Sequence, residues 1–160
     1  MTTTNIELFK LSSFFKFKLN SASFKDELPK TPIAGNYIIN LASSNQSEGT
    51  HWTCLIIDQQ YNIFYFDPFG DFAPEEVITF IHLFKNKYGY NTTDIQNINS
   101  DYCGYFCIGL LLATSKPGNL YDKANGFINI FSNNTKLNDE ILRNYFKPYK
   151  KNKIIGRLFR

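Results

Sequence analysis

Twelve consecutive residues, Cys103 to Thr114, carry no charge and are almost wholly apolar. At helical spacing such a segment has no face fit for water, so the rest of the chain must be wrapped around it. Lys116-Pro117-Gly118 supplies its stop. Its apolar run, around Ile108 to Ala113, is the longest in the chain and falls far short of the ~20 residues that span a bilayer. The segment therefore predicts the central helix of a water-soluble domain. The 160 residues suffice for one such domain, and 43% hydrophobic against 19% charged residues describes a folded chain. Three cysteines are too few and too uneven for a disulfide framework, which points to a reducing compartment. The opening Met1-Thr-Thr-Thr-Asn-Ile-Glu lacks the basic-then-apolar pattern of a signal peptide. A cytosolic or nuclear location, with no secretion and no membrane span, is the expectation.

Around that helix the patterning predicts strands first. Phe15-Lys-Phe-Lys-Leu19 alternates as an edge strand with one buried face, and Pro29 and Pro32 bracket a turn. Asn36 to Ala42 and Thr50 to Ile57 are strand-like, with Ser43 to Gly49 as a polar connection. Tyr61 to Phe66 follows across a short turn at Asp58 to Gln60, so these last two runs form a hairpin. A helix opens at Pro74-Glu-Glu76, carries an apolar stripe through Val77, Phe80, Ile81, Phe84 and Tyr88, and stops at Gly89. A short strand is expected over Thr92 to Ile98, and a last amphipathic helix over Asn138 to Phe146. There is no repeat and no low-complexity block. Strands sandwiched by helices make an α+β domain.

Four residue types of a thiol catalyst stand at boundaries of these elements. Cys103 begins the buried helix, where unpaired N–H groups and the positive dipole end stabilise a thiolate. Gly104 beside it leaves room for a substrate backbone. The competing reading of Cys103 is a small buried hydrophobe. Cys107, one turn deeper, and Cys54, inside a strand, read as core. A metal site from Cys103, Cys107 and the two histidines is disfavoured by the spacing and by the apolar surroundings. His51 starts a strand, where its ring can reach a helix N-terminus; His82 lies in the middle of a helix and reads as a surface or packing residue. Asp67 ends the partner strand ahead of Pro68. It lies about as far from the turn centred near Gln59 as His51 does, so the hairpin brings the two together. Otherwise Asp67 would be an ordinary turn aspartate. Gln96, seven positions ahead of Cys103, could place an amide N–H₂ beside the Cys103 backbone N–H in an oxyanion hole.

Gly49-Thr-His51-Trp52, Asp67-Pro-Phe-Gly70 and Gln96-x-x-Asn-Ser-x-x-Cys103-Gly-x-Phe-Cys107 resemble the adenovirus-type (adenain-like) maturation proteases. More distantly they resemble the SUMO-protease (Ulp-like) branch, which shares the His-Trp, Asp, Gln and Cys-Gly elements. The resemblance covers about Asn36 to Ala113. It implies a mixed central sheet flanked by helices, with the catalytic Cys103 at the N-terminus of a buried helix, as in a circularly permuted papain. It implies cysteine peptidase activity on capsid and other virion precursor proteins at bonds beside small residues, such as Gly-Gly-X or Gly-X-Gly. Trp52 would then wall a narrow substrate channel, or else be a large core anchor. Such enzymes also occur in virophages and Polinton/Maverick elements, whose A/T-rich coding suits the abundance of Asn, Lys, Ile, Phe and Tyr. A virion location, besides host cytoplasm or nucleus, follows. No cofactor is needed for the chemistry. The adenovirus enzyme is activated by a peptide tethered through a cysteine, but none lies between Cys54 and Cys103 here, so a peptide activator would bind non-covalently. A deubiquitinase or SUMO-type deconjugase acting on a host modifier is the alternative within the same chemistry; a catalytically silent binding module is the alternative outside it.

The net charge of +3 conceals an asymmetry. From Lys147 onward six basic residues stand with no acid, leaving 11 basic against 14 acidic residues, a net of −3, in the rest. This tail, 147–160, reads as a separate basic object that binds DNA or an acidic partner. The resemblance points the same way, since viral DNA assists the adenovirus enzyme. The competing reading packs Ile154-Ile155 and Leu158-Phe159 against the domain as a last strand.

Overall fold

The structure, a computed structural model, describes residues 3–45 and 51–160. Gly49, Thr50 and most of the expected polar connection lie outside the described residues. Five strands form one mixed sheet in the order β1 (Ser21–Phe24), β2 (Gly35–Asn40), β3 (Trp52–Ile57), β4 (Ile63–Phe66), β5 (Tyr88–Tyr90). The β1–β2 and β4–β5 pairs are parallel, and the two pairs between them are antiparallel. Six α-helices are present among the described residues: α1 (Asn5–Phe15), α2 (Glu75–His82), α3 (Cys103–Thr114), α4 (Leu120–Ile128), α5 (Thr135–Phe146) and α6 (Lys153–Gly156). This is the α+β architecture expected. No helix of the described residues is long and apolar enough to cross a membrane.

The sheet is covered on both faces, so every residue of β3 and β4 is buried. Trp52, Cys54, Ile56, Phe64 and Phe66 point into the larger core with α3, while Leu55, Ile57, Ile63 and Tyr65 point to a smaller core under α2. Helix α3 occupies the residues predicted and is buried from Cys103 to Leu112. Against it pack α1, α4, α5 and strands β2 and β3.

Several expectations are corrected. Phe15 to Leu19 is not a strand. Thr4 caps α1 by accepting from Glu7 N, and the helix closes on Lys16 at φ 62. Phe17 and Leu19 are buried with Lys16 and Lys18 outside, so the alternation reported facing correctly, but the ladder starts later, at Ser21. The second helix ends at His82, and three successive i to i+3 bonds tighten the chain through Lys85 at φ 53. Tyr88 to Tyr90 then pairs with β4, and Gly89 admits the Phe64 and Tyr121 rings, each 3.0 Å from where a Cβ would stand. Thr92 to Ile98 is not a strand, because the Ile95 and Gln96 N–H groups both go to Pro68 O. Helix α4, capped by Asn119, was not anticipated, and α5 begins at Thr135, ahead of Asn138.

The basic tail is neither detached nor a strand. It folds back as a helical turn with Ile155 and Leu158 buried. Arg143 Nε donates to Leu158 O at 2.6 Å, Tyr105 Oη to Ile154 O at 3.3 Å, and Arg157 pairs with Glu7. Its cations and Phe159 stay exposed, while Ile155 and Leu158 complete the core with Tyr149 and Ile154 packed against it. Ile155→Ala and Leu158→Ala should therefore each lower stability by about 2–5 kcal/mol in urea titration. A change within about 0.5 kcal/mol, the range of ordinary surface substitutions, would show a tail that only touches the domain.

Candidate active site

His51 stands one residue before β3 and Asp67 one residue after β4, at the same end of the antiparallel hairpin. The register pairs Cys54 with Phe66 and Ile57 with Ile63. Continued outward it sets Asp67 opposite Thr53, so His51 lies one diagonal step away on the same face. The loop centres on Gln60, where the sequence reading had Gln59. Asp58 Oδ1 accepts from both Gln60 N and Asn62 N to close it. The two residues thus meet diagonally, with His51 Nε2 2.7 Å from Asp67 Oδ1.

Asp67 is wholly buried; its Oδ1 is held by hydrogen bonds, while its Oδ2 has no partner among the described residues. Oδ1 also accepts from Phe69 N at 2.8 Å. Asn91 holds the backbone, accepting from Asp67 N at 3.0 Å and donating to Asp67 O at 2.6 Å. Sequence reading missed Asn91: it lies one residue beyond β5, and the parallel β4–β5 pairing that brings it to Asp67 was not foreseen. The Phe69 ring stacks on the imidazole at 4.4 Å between centroids, closing one of its faces. Gly70 donates to Asp67 O and has φ +75; a Cβ there would stand 2.7 Å from Thr92 O. A turn this tight against another backbone admits only glycine.

Cys103 is the first residue of α3 and 3% exposed. Tyr102 before it provides no side-chain cap to the N–H groups of the first turn. Trp52 N donates to Cys103 Sγ at 3.4 Å. Nε2 is committed to Asp67, which leaves Nδ1 as the ring nitrogen that could serve Cys103. Burial, the largest influence, pulls the imidazole pKa down. Hydrogen bonds to Asp67 and Cys103, with the charges of both, outweigh it and raise the pKa to about 9. Cys107 differs in kind. It is fully buried, donates from Sγ to Trp52 O at 3.6 Å, and burial together with neighbouring Cys54 pushes its pKa up. It remains a core thiol, as does Cys54.

Gln96 is brought onto the turn that follows Asp67, since its N–H donates to Pro68 O at 3.1 Å. One hydrogen of its amide is fixed on Ser100 O at 2.9 Å, which orients the group and leaves the second hydrogen available. Among the described residues no hydrogen bond joins the Gln96 side chain to Cys103. Trp52 is 6% exposed and its indole N–H donates to Thr3 O at 2.8 Å, which places its ring in the core. Gly104 is buried, and the space beside it is taken by Thr3 and Leu8, with a Cβ at Gly104 lying 3.1 Å from Thr3 Cβ. The absent side chain therefore serves the docking of α1 in this structure. His82 is exposed at the end of α2.

Asp67 bonded to His51, with Cys103 at a helix start acting on the same ring, is an arrangement that can serve thiol chemistry. No protein-family model matches the chain, and no curated protein sequence matches it.

The His51 environment makes a pH prediction. Its folded pKa, about 9, exceeds the unfolded value of roughly 6.5. Its contribution to stability is therefore fully present below pH ~6.5 and is lost as pH rises through about 9. NMR titration of the imidazole should find the raised midpoint, and Cys103→Ala should lower it by removing one hydrogen-bond partner and its charge. A midpoint unmoved by Cys103→Ala would separate the two groups.

Proposed function

We propose that the chain is a cysteine endopeptidase of the adenovirus maturation type, processing capsid precursors of a virus such as a virophage or Polinton/Maverick-like element. The observation that carries this reading is His51 standing 2.7 Å from buried Asp67, with Cys103 at the start of the apolar helix near enough to raise the pKa of that ring. The chain order His51, Asp67, Cys103, at the ends of two strands and then a helix, is what a circularly permuted papain-like site would have. The residue motifs support the adenovirus branch over the SUMO-protease branch.

In this reading His51 takes the proton of Cys103, and Asp67 keeps Nε2 protonated while stabilising the imidazolium. The thiolate attacks the scissile carbonyl. The oxyanion is met by the Cys103 backbone N–H and the free amide hydrogen of Gln96. His51 then protonates the leaving amine, and a thioester remains on Cys103. Water attacks that thioester with His51 as base, releasing the acid product and restoring the thiolate. No cofactor enters the chemistry. The exposed Lys147, Lys150, Lys151, Lys153 and Arg160 would gather the enzyme on DNA inside a particle, an association that weakens steeply with salt.

The test incubates purified protein with the co-encoded capsid precursor and with a ubiquitin and SUMO panel, mapping every new terminus. Cleavage of the precursor beside small residues is expected; release of modifiers alone would move the enzyme to the deconjugases, and no cleavage at all would sink the reading. Cys103→Ala should abolish activity and His51→Ala nearly so, with Asp67→Asn milder. Gln96→Ala should lower kcat by ~10²–10³ with KM little changed, because its donor acts on charge formed in the transition state.

A further inference from the structure

Helix α5 buries three residues at helical spacing, Asn138, Leu142 and Phe146. The last two are apolar, as a core stripe requires. Asn138 is 0% exposed at a position where leucine would bury without polar cost. Its amide is well occupied: Nδ2 donates to Ile95 O at 2.8 Å and to Ser132 O at 2.8 Å, and Oδ1 accepts from Ser132 N at 2.8 Å. The Ser132 bonds close the local turn before α5. The Ile95 bond spans 43 positions and meets the residue directly ahead of Gln96.

That bond matters because residues 92–98 have no ladder of their own. The backbone at Gln96 is gripped by Pro68 O, which takes both the Ile95 and the Gln96 N–H. Asn138 grips the opposite side of the same segment through the Ile95 carbonyl. Farther along α5, Arg143 Nη2 donates to Tyr102 Oη at 2.9 Å, beside Cys103. One helix thus anchors both ends of the loop from Gln96 to Cys103. The geometry points to Asn138 as a positioning residue that sets the Gln96 amide for the oxyanion; this rests on the peptidase reading above. A displacement of about 1 Å in such a donor is worth ~10²-fold in rate.

The experiment has a kinetic arm and an arm independent of catalysis. Asn138→Ala should lower kcat roughly 10- to 100-fold with KM changed less than about twofold. In a Gln96→Ala background the same substitution should cost less than about threefold, because the group it positions is gone. The side-chain amide resonances of Gln96, identified by their loss in Gln96→Ala, should shift or broaden in Asn138→Ala. An equal kcat loss in both backgrounds, or unmoved Gln96 resonances, would overturn the proposal. Should Asn138→Ala fold poorly, Asn138→Ser, which admits a water to the vacated space, carries the same readouts. Failure of both to fold assigns Asn138 to the architecture alone and ends the idea. If the wild type shows no Cys103-dependent cleavage, the peptidase reading fails, and the resonances alone decide whether Asn138 orients Gln96.

Discussion

The enclosure of α3 governs the rest of the molecule. A helix without a polar face has to be shielded along its length, and here β2 and β3 cover one side while α1, α4 and α5 cover the others. Even the basic tail is drawn in, since Ile155 and Leu158 belong to the same core. Along its length the few polar groups of this helix bond to the elements that enclose it, as Tyr105 does to Ile154 O and Cys107 to Trp52 O. At its start the first-turn N–H groups have no capping side chain, and this is where Cys103 stands. The two thiols of α3 show the contrast. Cys103 receives the Trp52 N–H, whereas Cys107, one turn inward, gives its proton to the Trp52 carbonyl. One residue of β3, Trp52, thus meets both thiols through its backbone, giving its N–H to one and its carbonyl to the other.

The polar counterpart of that core is the far end of the β3–β4 hairpin. Burying Asp67 is costly, and the His51 ring and the Phe69 N–H offset that cost at Oδ1 while Asn91 holds its backbone. The turn that follows carries the arrangement onward, because Gly70 lets the chain pass against Thr92 and the Pro68 carbonyl collects the Ile95 and Gln96 N–H groups. The carboxylate and the amide are therefore parts of one hydrogen-bonded frame, closed from outside by Asn138. In the proposed mechanism the orienting acid and the oxyanion donor would share a support, so their relative placement does not depend on a flexible loop.

Much of this was legible from residues alone where a local pattern suffices. The apolar run marked the limits of α3, and the paired runs around Asp58 to Gln60 announced a hairpin that carries His51 and Asp67 to one end, although its second strand begins at Ile63 and not at Tyr61. Fold class followed from the same patterns. Burial alternation at Phe17 and Leu19 was read correctly for facing and wrongly for strand, because alternation reports which way side chains point and not whether a ladder partner is present. Tyr88-Gly-Tyr90 looked like a helix end, yet its place beside β4 is set by a parallel pairing between segments more than twenty residues apart.

Sequence by itself determined the chemical inventory and its order along the chain: one candidate thiol at a helix start, an imidazole and a carboxylate on hairpin ends, and an amide seven residues ahead of the thiol. Those are consequences of short-range periodicity, which a single strand or helix imposes on its own residues. Only the tertiary structure decided that Asn91 and Asn138 support Asp67 and the Gln96 segment, that Thr3 and Leu8 take the space beside Gly104, and that the tail completes the core. Each is a contact between residues far apart in the chain, where either partner alone is an unremarkable side chain. No spacing rule marks such pairs, because what selects them is the need to satisfy a buried polar group or fill a space that exists only once the other elements have packed.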